Sequence, residues 1–210
     1  MIWNEFIYRF PDLTLSRQVQ QAAQALAIDD ERKTFHPDLW KEDREHPGRV
    51  EQVWFCGAHS NVGGGYERQG LSLVAMDWVM TQAEGAGLRF IESDRRSYRE
   101  HLDPHDRLCD SRSGAGYFYR YFPSKLPAKP KLHRSALERL SEATDGYAPY
   151  NLPPSFHVAS CAQARKIDLE PAPNVQAWVL TRWSSYVIFW LPWLSFSSWR
   201  CGTSSSRCGP

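Results

Sequence analysis

Apolar and polar positions change period along this chain. Residues 50–55, Val-Glu-Gln-Val-Trp-Phe, form a β-branched and aromatic run that stops at Gly57. That pattern predicts a short buried strand. Leu71, Val74, Ala75, Trp78, Val79 and Ala83 then recur at helical spacing, with Gly85 and Gly87 behind them. They predict a helix that opens near Leu71, buries one apolar face and ends at the glycines. Upstream, Val19, Ala22, Ala23, Leu26 and Ala27 stand at i, i+3, i+4, i+7 and i+8 behind Ser16, a suitable cap. This spacing predicts a helix over 16–27.

The remaining stretches are weaker. Residues 1–12 are aromatic-rich and read as a short strand or part of a larger element. Residues 29–32 form a charged turn, and 33–49, with two prolines, a loop. Residues 98–112 are rich in charge and predict a surface excursion. Residues 116–122 are aromatic enough to pair as a strand, and 124–131 read as a linker. Ser135 and Glu138 have capping-box spacing, so a helix is expected over 136–143.

The composition shifts near Val175. Between Arg182 and Arg200 there is no charge, and Trp183, Trp190, Trp193 and Trp199 lie among other large apolar residues. A spanning helix needs about 17–25 apolar residues. This run is at the lower edge and contains Pro192. It is read as a hydrophobic Trp-rich helix at 178–199 that packs on protein, lies on a membrane surface, or spans it. The expected division is therefore a domain at 1–154, a linker at 155–177, the Trp-rich segment at 178–199 and a disordered tail at 200–210.

A net charge of +1 over 210 residues gives no argument for nucleic acid. The five cysteines follow no zinc or disulfide spacing, and no secretory signal opens the sequence. These features predict reduced thiols in an intracellular protein, cytoplasmic or peripherally membrane-associated. His101, Asp103, His105 and Asp106 lie close together in the charged excursion, but that pattern is read as a solvated cluster, with no metal and no cofactor expected.

The candidate chemistry sits just past the 50–55 strand. His59 follows Gly57 by two residues, and Gly63, Gly64 and Gly65 precede the helix near Leu71. An imidazole on a loop leaving a strand, backed by a glycine turn, suits a general base; it also suits an ordinary turn with a surface histidine. The glycines permit positive φ, either for a tight turn or for an anion-binding nest.

Residues 54–66, Trp-Phe-Cys-Gly-Ala-His-Ser-Asn-Val-Gly-Gly-Gly-Tyr, resemble the hallmark of an uncharacterised α/β-hydrolase family that includes the catalytic domain of type VI secretion phospholipase effectors. Residues 25–32 with Phe35, Pro37 and Trp40, the helix from Leu71, and later landmarks at Arg139, Tyr147 and Asn151 extend the likeness over roughly 10–153. The resemblance implies an α/β fold: an incomplete α/β-hydrolase-like sheet with flanking helices, followed by the Trp-rich helix. It implies a serine hydrolase of lipid or other esters, with His59 as the triad histidine and Gly57, Asn61 and Gly63–Gly65 as the supporting loop. It also makes 29–32 a buried, ion-paired turn beneath that loop. Asn61 stands where the family usually has Asp; it keeps the size and an acceptor but loses the charge.

In α/β-hydrolases the serine sits on a Gly-x-Ser-x-Gly elbow and precedes the acid and the histidine. No such elbow occurs in the 210 residues. The expectation is the C-terminal half of such a domain, lacking nucleophile and acid and inactive alone, with strand 50–55 left without neighbours on an exposed edge. The alternative is a non-catalytic protein derived from that hydrolase, binding a partner or a membrane surface through Trp183, Trp190, Trp193 and Trp199.

Overall fold

The computed structural model describes residues 12–42, 45–113 and 118–159. The expected Trp-rich segment at 178–199 and tail at 200–210 lie outside them. Among the described residues no helix is long and apolar enough to cross a membrane.

Among the described residues four parallel strands form one sheet in the order β1 (Ala22–Ala27), β2 (Val50–Phe55), β3 (Lys131–His133) and β4 (His157–Ala159). Helices α1 (His59–Gly63) and α2 (Gly70–Gly85) follow β2, α3 (Glu92–Glu100) comes next, and α4 (Arg134–Ser141) follows β3. The two faces of the sheet bury separate clusters. Ala27, Val53, Phe55 and Ala159 meet Val62 of α1 and Val74, Ala75 and Trp78 of α2. Leu26, Trp54 and Leu132 meet Ile28, Cys56 and Ala136 of α4 on the other face. With both faces covered, buried apolar strand residues occur at either parity, as with Val53 and Trp54, the mark of a parallel α/β sheet.

Strand β2 and helix α2 lie where the sequence pattern places them. Residues 16–27 do not form the expected helix: residues 22–27 are β1, paired with β2 in register from Ala22–Val50 to Ala27–Phe55. Alanine and leucine are strong helix formers, but that preference is a few tenths of a kcal/mol per residue. A full parallel ladder beside a buried strand overrides it. Five apolar residues in the six of Ala22–Ala27 also leave no alternation that would reveal a strand.

β2 is likewise not left without neighbours. It is flanked by β1 on one side and β3 on the other. Among the described residues the edge strands are β1 and β4.

Four further expectations are revised. Residues 98–100 belong to α3, and Asp106 beyond it is buried, taking the Gly70 N–H at 3.0 Å. The 98–112 stretch is thus tied to the start of α2. In 116–122 only Tyr121 pairs, through an isolated antiparallel bridge to Arg32; residues 114–117 lie outside the described residues. Helix α4 is capped by His133, whose Nδ1 accepts the Ser135 N–H at 3.3 Å, while Glu138 pairs with Arg134 rather than closing a capping box. Strand β4 lies within the expected 155–177 linker, so the sheet runs past residue 154.

Candidate functional site

The polypeptide leaves β2 through a corner that only glycine fits. Gly57 has φ +104°, and a Cβ there would stand 2.4 Å from the Cβ of Asn61. Asn61 is buried, and its side-chain oxygen accepts the Ala58 N–H at 3.2 Å. Asn61 therefore closes the corner from within, and an acceptor at this position suffices without a charge. His59 is the first residue of α1, not part of an open loop.

The end of β1 carries two carboxylates that grip this corner from below. Asp29 Oδ2 accepts the Gly57 N–H at 2.6 Å, and the Asp29 N–H returns a bond to the Gly57 carbonyl at 3.1 Å. Asp30, 1% exposed, accepts the His59 N–H at 2.9 Å. It also binds the Arg32 guanidinium at Nε (3.1 Å) and Nη2 (2.8 Å). Burial alone would push the Asp30 carboxyl up, but hydrogen bonds from Arg32 and from the His59 amide outweigh it and hold the group below the usual range. Asp29 is the opposite case. Its enclosure dominates the hydrogen bonds from Gly57 and Tyr147, and its carboxyl is raised to about 6. Residues 29–32 are thus an ion-paired support beneath the corner, with Asp30 buried and Asp29, Glu31 and Arg32 half-buried.

A collar from residues 120–151 closes around the 28–33 turn. Tyr147 Oη donates to Asp29 Oδ2 at 2.8 Å. Asn151 Nδ2 donates to the carbonyls of Ile28 and Ser124, both at 2.9 Å. Ser124 donates its N–H to the Asp30 carbonyl at 3.0 Å, and Phe122 its N–H to the Glu31 carbonyl at 2.8 Å. Arg139, fully buried, donates to the carbonyls of Pro104 (3.0 Å) and Asp106 (2.7 Å), which ties α4 to the loop that caps α2. Sequence spacing misses these contacts, because single polar residues far apart in the chain carry no period. Tyr147, Asn151 and Arg139 stood out only as landmarks of the resemblance.

The His59 ring is exposed. It meets Phe35 in a T-shaped contact at 5.4 Å between centroids, and the Arg32 guanidinium lies over that phenyl ring, 3.6 Å from its centroid. Neither ring nitrogen has a hydrogen-bond partner among the described residues. Asp30 reaches the His59 backbone, not its imidazole, and Ser60 is not bonded to the ring. The ring lines an open groove of about 720 Å³ between β1, α2 and residues 34–37. No Asp, Glu, Lys or Arg lines it.

The triple glycine divides in two. Gly64 and Gly65 have φ +87° and +115°, whereas Gly63 ends α1 without positive φ and a Cβ there would meet nothing within 4 Å. Positive φ at two successive residues is a conformation that glycine adopts without a Cβ penalty. His101, Asp103, His105 and Asp106 do not converge: Asp106 caps α2 and pairs with Arg68, while His105 Nδ1 meets Thr144 Oγ1 at 2.6 Å.

Residues 2–82 match the family described as T6SS, Phospholipase effector Tle1-like, catalytic domain. The matched stretch holds β1, β2, α1 and nearly all of α2, and so the whole His59 corner; the collar and α4 lie beyond it. No curated protein and no solved structure matches the chain.

Proposed function

We propose, for a chain that over residues 2–82 belongs to the Tle1-like phospholipase effector catalytic-domain family, that His59 is the general base of an ester-cleaving centre whose serine another segment supplies. The observation that carries this reading is the setting of His59. Its backbone is fixed at the C-terminal end of a parallel sheet by a buried carboxylate, while its imidazole stays free at the mouth of an uncharged groove. Catalytic groups of α/β folds gather at that end of the sheet.

In such a centre the imidazole takes the proton as the serine oxygen attacks the ester carbonyl. It returns that proton to the leaving alcohol, and water then releases the acyl group by the same steps. The neutral groove suits the acyl portion of a lipid ester. With no Gly-x-Ser-x-Gly elbow in the sequence and no serine or acid bonded to the His59 ring among the described residues, the chain supplies the base, and the expected activity of the isolated chain is nil. An assay with a short-chain phosphatidylcholine tests this. Turnover by the purified chain that His59→Ala abolishes would contradict the inactivity and place the nucleophile within these residues.

One observation favours a second reading. Among the described residues the imidazole has no carboxylate or hydroxyl partner, which fits a non-catalytic descendant that binds a partner or a membrane surface. Liposome flotation with and without residues 178–199 tests its membrane form. Flotation that depends on the segment supports it, and none in either form removes it.

A further inference from the structure

Tyr147 reaches the His59 corner out of a strained turn. Past α4, Ala143 and Asp145 have φ +46° and +50°, the only non-glycine residues with positive φ among the described residues. An L residue resists that left-handed region, alanine more than aspartate. Such a conformation persists only where its neighbours hold it. Here His105 Nδ1 meets Thr144 Oγ1 at 2.6 Å, and Arg139 Nη2 donates to Asp145 Oδ2 at 3.3 Å. The Gly146 N–H closes the turn on the Ala143 carbonyl at 2.6 Å, and the Tyr147 N–H donates to the Thr144 carbonyl at 2.9 Å. Tyr147 is the first residue out of this clamp, and the Arg139 guanidinium lies 5.6 Å from its ring centroid.

The Tyr147 hydroxyl and the Gly57 amide share one acceptor. Both donate to Asp29 Oδ2, at 2.8 Å and 2.6 Å. Two donors on one oxygen fix where that carboxylate stands. Gly57 is bonded to Asp29 at both its amide and its carbonyl. A glycine has wide backbone freedom. These bonds, together with Asn61 closed against its Cα, therefore choose its angle of φ +104° and the direction in which Ala58 and His59 leave β2.

We propose that Tyr147 is a positioning residue of the His59 corner: its hydroxyl, presented by the clamped turn, aims the Asp29 carboxylate at Gly57 and so sets the direction in which His59 leaves the sheet. The chain of bonds runs from Tyr147 through Asp29 to Gly57 and never touches the imidazole. Only what the imidazole then does rests on the general-base reading; the chain of bonds does not.

Asp29 is the member of this chain that changes charge. Enclosure keeps the protons on Tyr147 and on Cys56 beside it, the Cys56 thiol being pushed up to about 12. Asp30 and Glu31 on its own turn, Arg139 on α4 and Tyr150 of the collar are the other charged or titratable groups near it. A hydroxyl that donates to a carboxylate favours its charged form. Taking that donor away raises the pH at which Asp29 ionises above about 6. A phenol that merely fills space leaves it where it was.

The test follows the full chain, labelled with carbon-13 and nitrogen-15, by magnetic resonance from about pH 4.5 to 8. The Asp29 carboxyl carbon, identified by its loss in Asp29→Asn, reports its own ionisation. The His59 amide and ring carbons report the corner. Tyr147→Phe keeps the ring and removes the donor. The Asp29 midpoint should rise by about half a pH unit or more, and the His59 signals should move as well. Ala143→Gly takes the left-handed turn freely and should leave both readouts in place. Ala143→Val resists it and should move both in the same direction as Tyr147→Phe. Three outcomes overturn the proposal: an unchanged Asp29 midpoint in a folded Tyr147→Phe chain, a raised midpoint with unmoved His59 signals, or an Ala143→Val chain that folds and behaves as the unaltered one. No readout here needs turnover, so a failure of ester cleavage bears on the role of the imidazole and not on the chain of bonds.

Discussion

The Asp30 carboxylate accepts the backbone N–H of His59 at 2.9 Å and makes no bond to its imidazole. The same oxygen pair holds Arg32 through two guanidinium nitrogens and the Arg32 amide. A residue at the tip of β1 thereby fixes where the next strand's histidine begins its helix, and leaves the ring's chemistry uncommitted.

Asp30→Ala should therefore act on stability and on the corner together. It strands a largely buried guanidinium and an amide at the start of α1. Losing one partner of such a pair costs about 3 kcal/mol. Urea denaturation measures the loss, and Asp30→Ala combined with Arg32→Met should recover part of it. A cost under about 1 kcal/mol for the single variant would show that the pair is not the support described here.

The glycines separate just as sharply. Gly57→Ala forces a Cβ into Asn61 at a backbone angle that L residues avoid, and should cost at least about 3 kcal/mol. Gly63→Ala meets open space in a helical residue and should be neutral or slightly stabilising, by up to about 1 kcal/mol. Thermal melts of the two variants check this, and equal losses would contradict the geometry.

Two buried groups give opposed pH dependences. His133, enclosed between Phe55 and α4, has its imidazole lowered by burial to about 4. It takes up a proton on unfolding between about pH 4 and 6.5, so its share of stability rises with pH there. Asp29, raised to about 6, releases a proton on unfolding between about pH 4 and 6, so its share falls as pH rises. Each slope amounts to about 3 kcal/mol, on the basis of roughly 1.4 kcal/mol per pH unit. They nearly cancel, and the unaltered chain should show a flat profile from about pH 4 to 6. Asn at position 29 should leave stability climbing with pH; Asn at position 133, which can still cap α4, should leave it declining. Denaturation midpoints across that range decide it, and slopes of the reverse sign would contradict the burial of these two groups.

Much of this architecture is legible in the residues, for identifiable reasons. β2 is bounded by a glycine and rich in β-branched and aromatic side chains, and α2 carries a long apolar period closed by Gly85 and Gly87. β1 is hidden because Ala22 to Ala27 satisfy a helical spacing as readily as a buried strand, and only pairing with Val50 to Phe55 decides between them. The cap of α4 is hidden because a neutral His133 serves where Ser135 has the customary chemistry. His59, Gly57 and the glycine turn are visible through a long motif. Tyr147, Asn151 and Arg139 act across more than a hundred residues or through carbonyl groups, which no local pattern encodes.

The account rests on His59 serving a serine hydroxyl that another segment supplies. The direct measurement is hydrolysis of short-chain phosphatidylcholine by the chain mixed with a separately expressed Gly-x-Ser-x-Gly segment of a Tle1-like catalytic domain. The account predicts no turnover from either component alone, and turnover from the mixture that His59→Ala abolishes while the two still associate. A mixture that associates without turnover, or turns over equally well with His59→Ala, would contradict it.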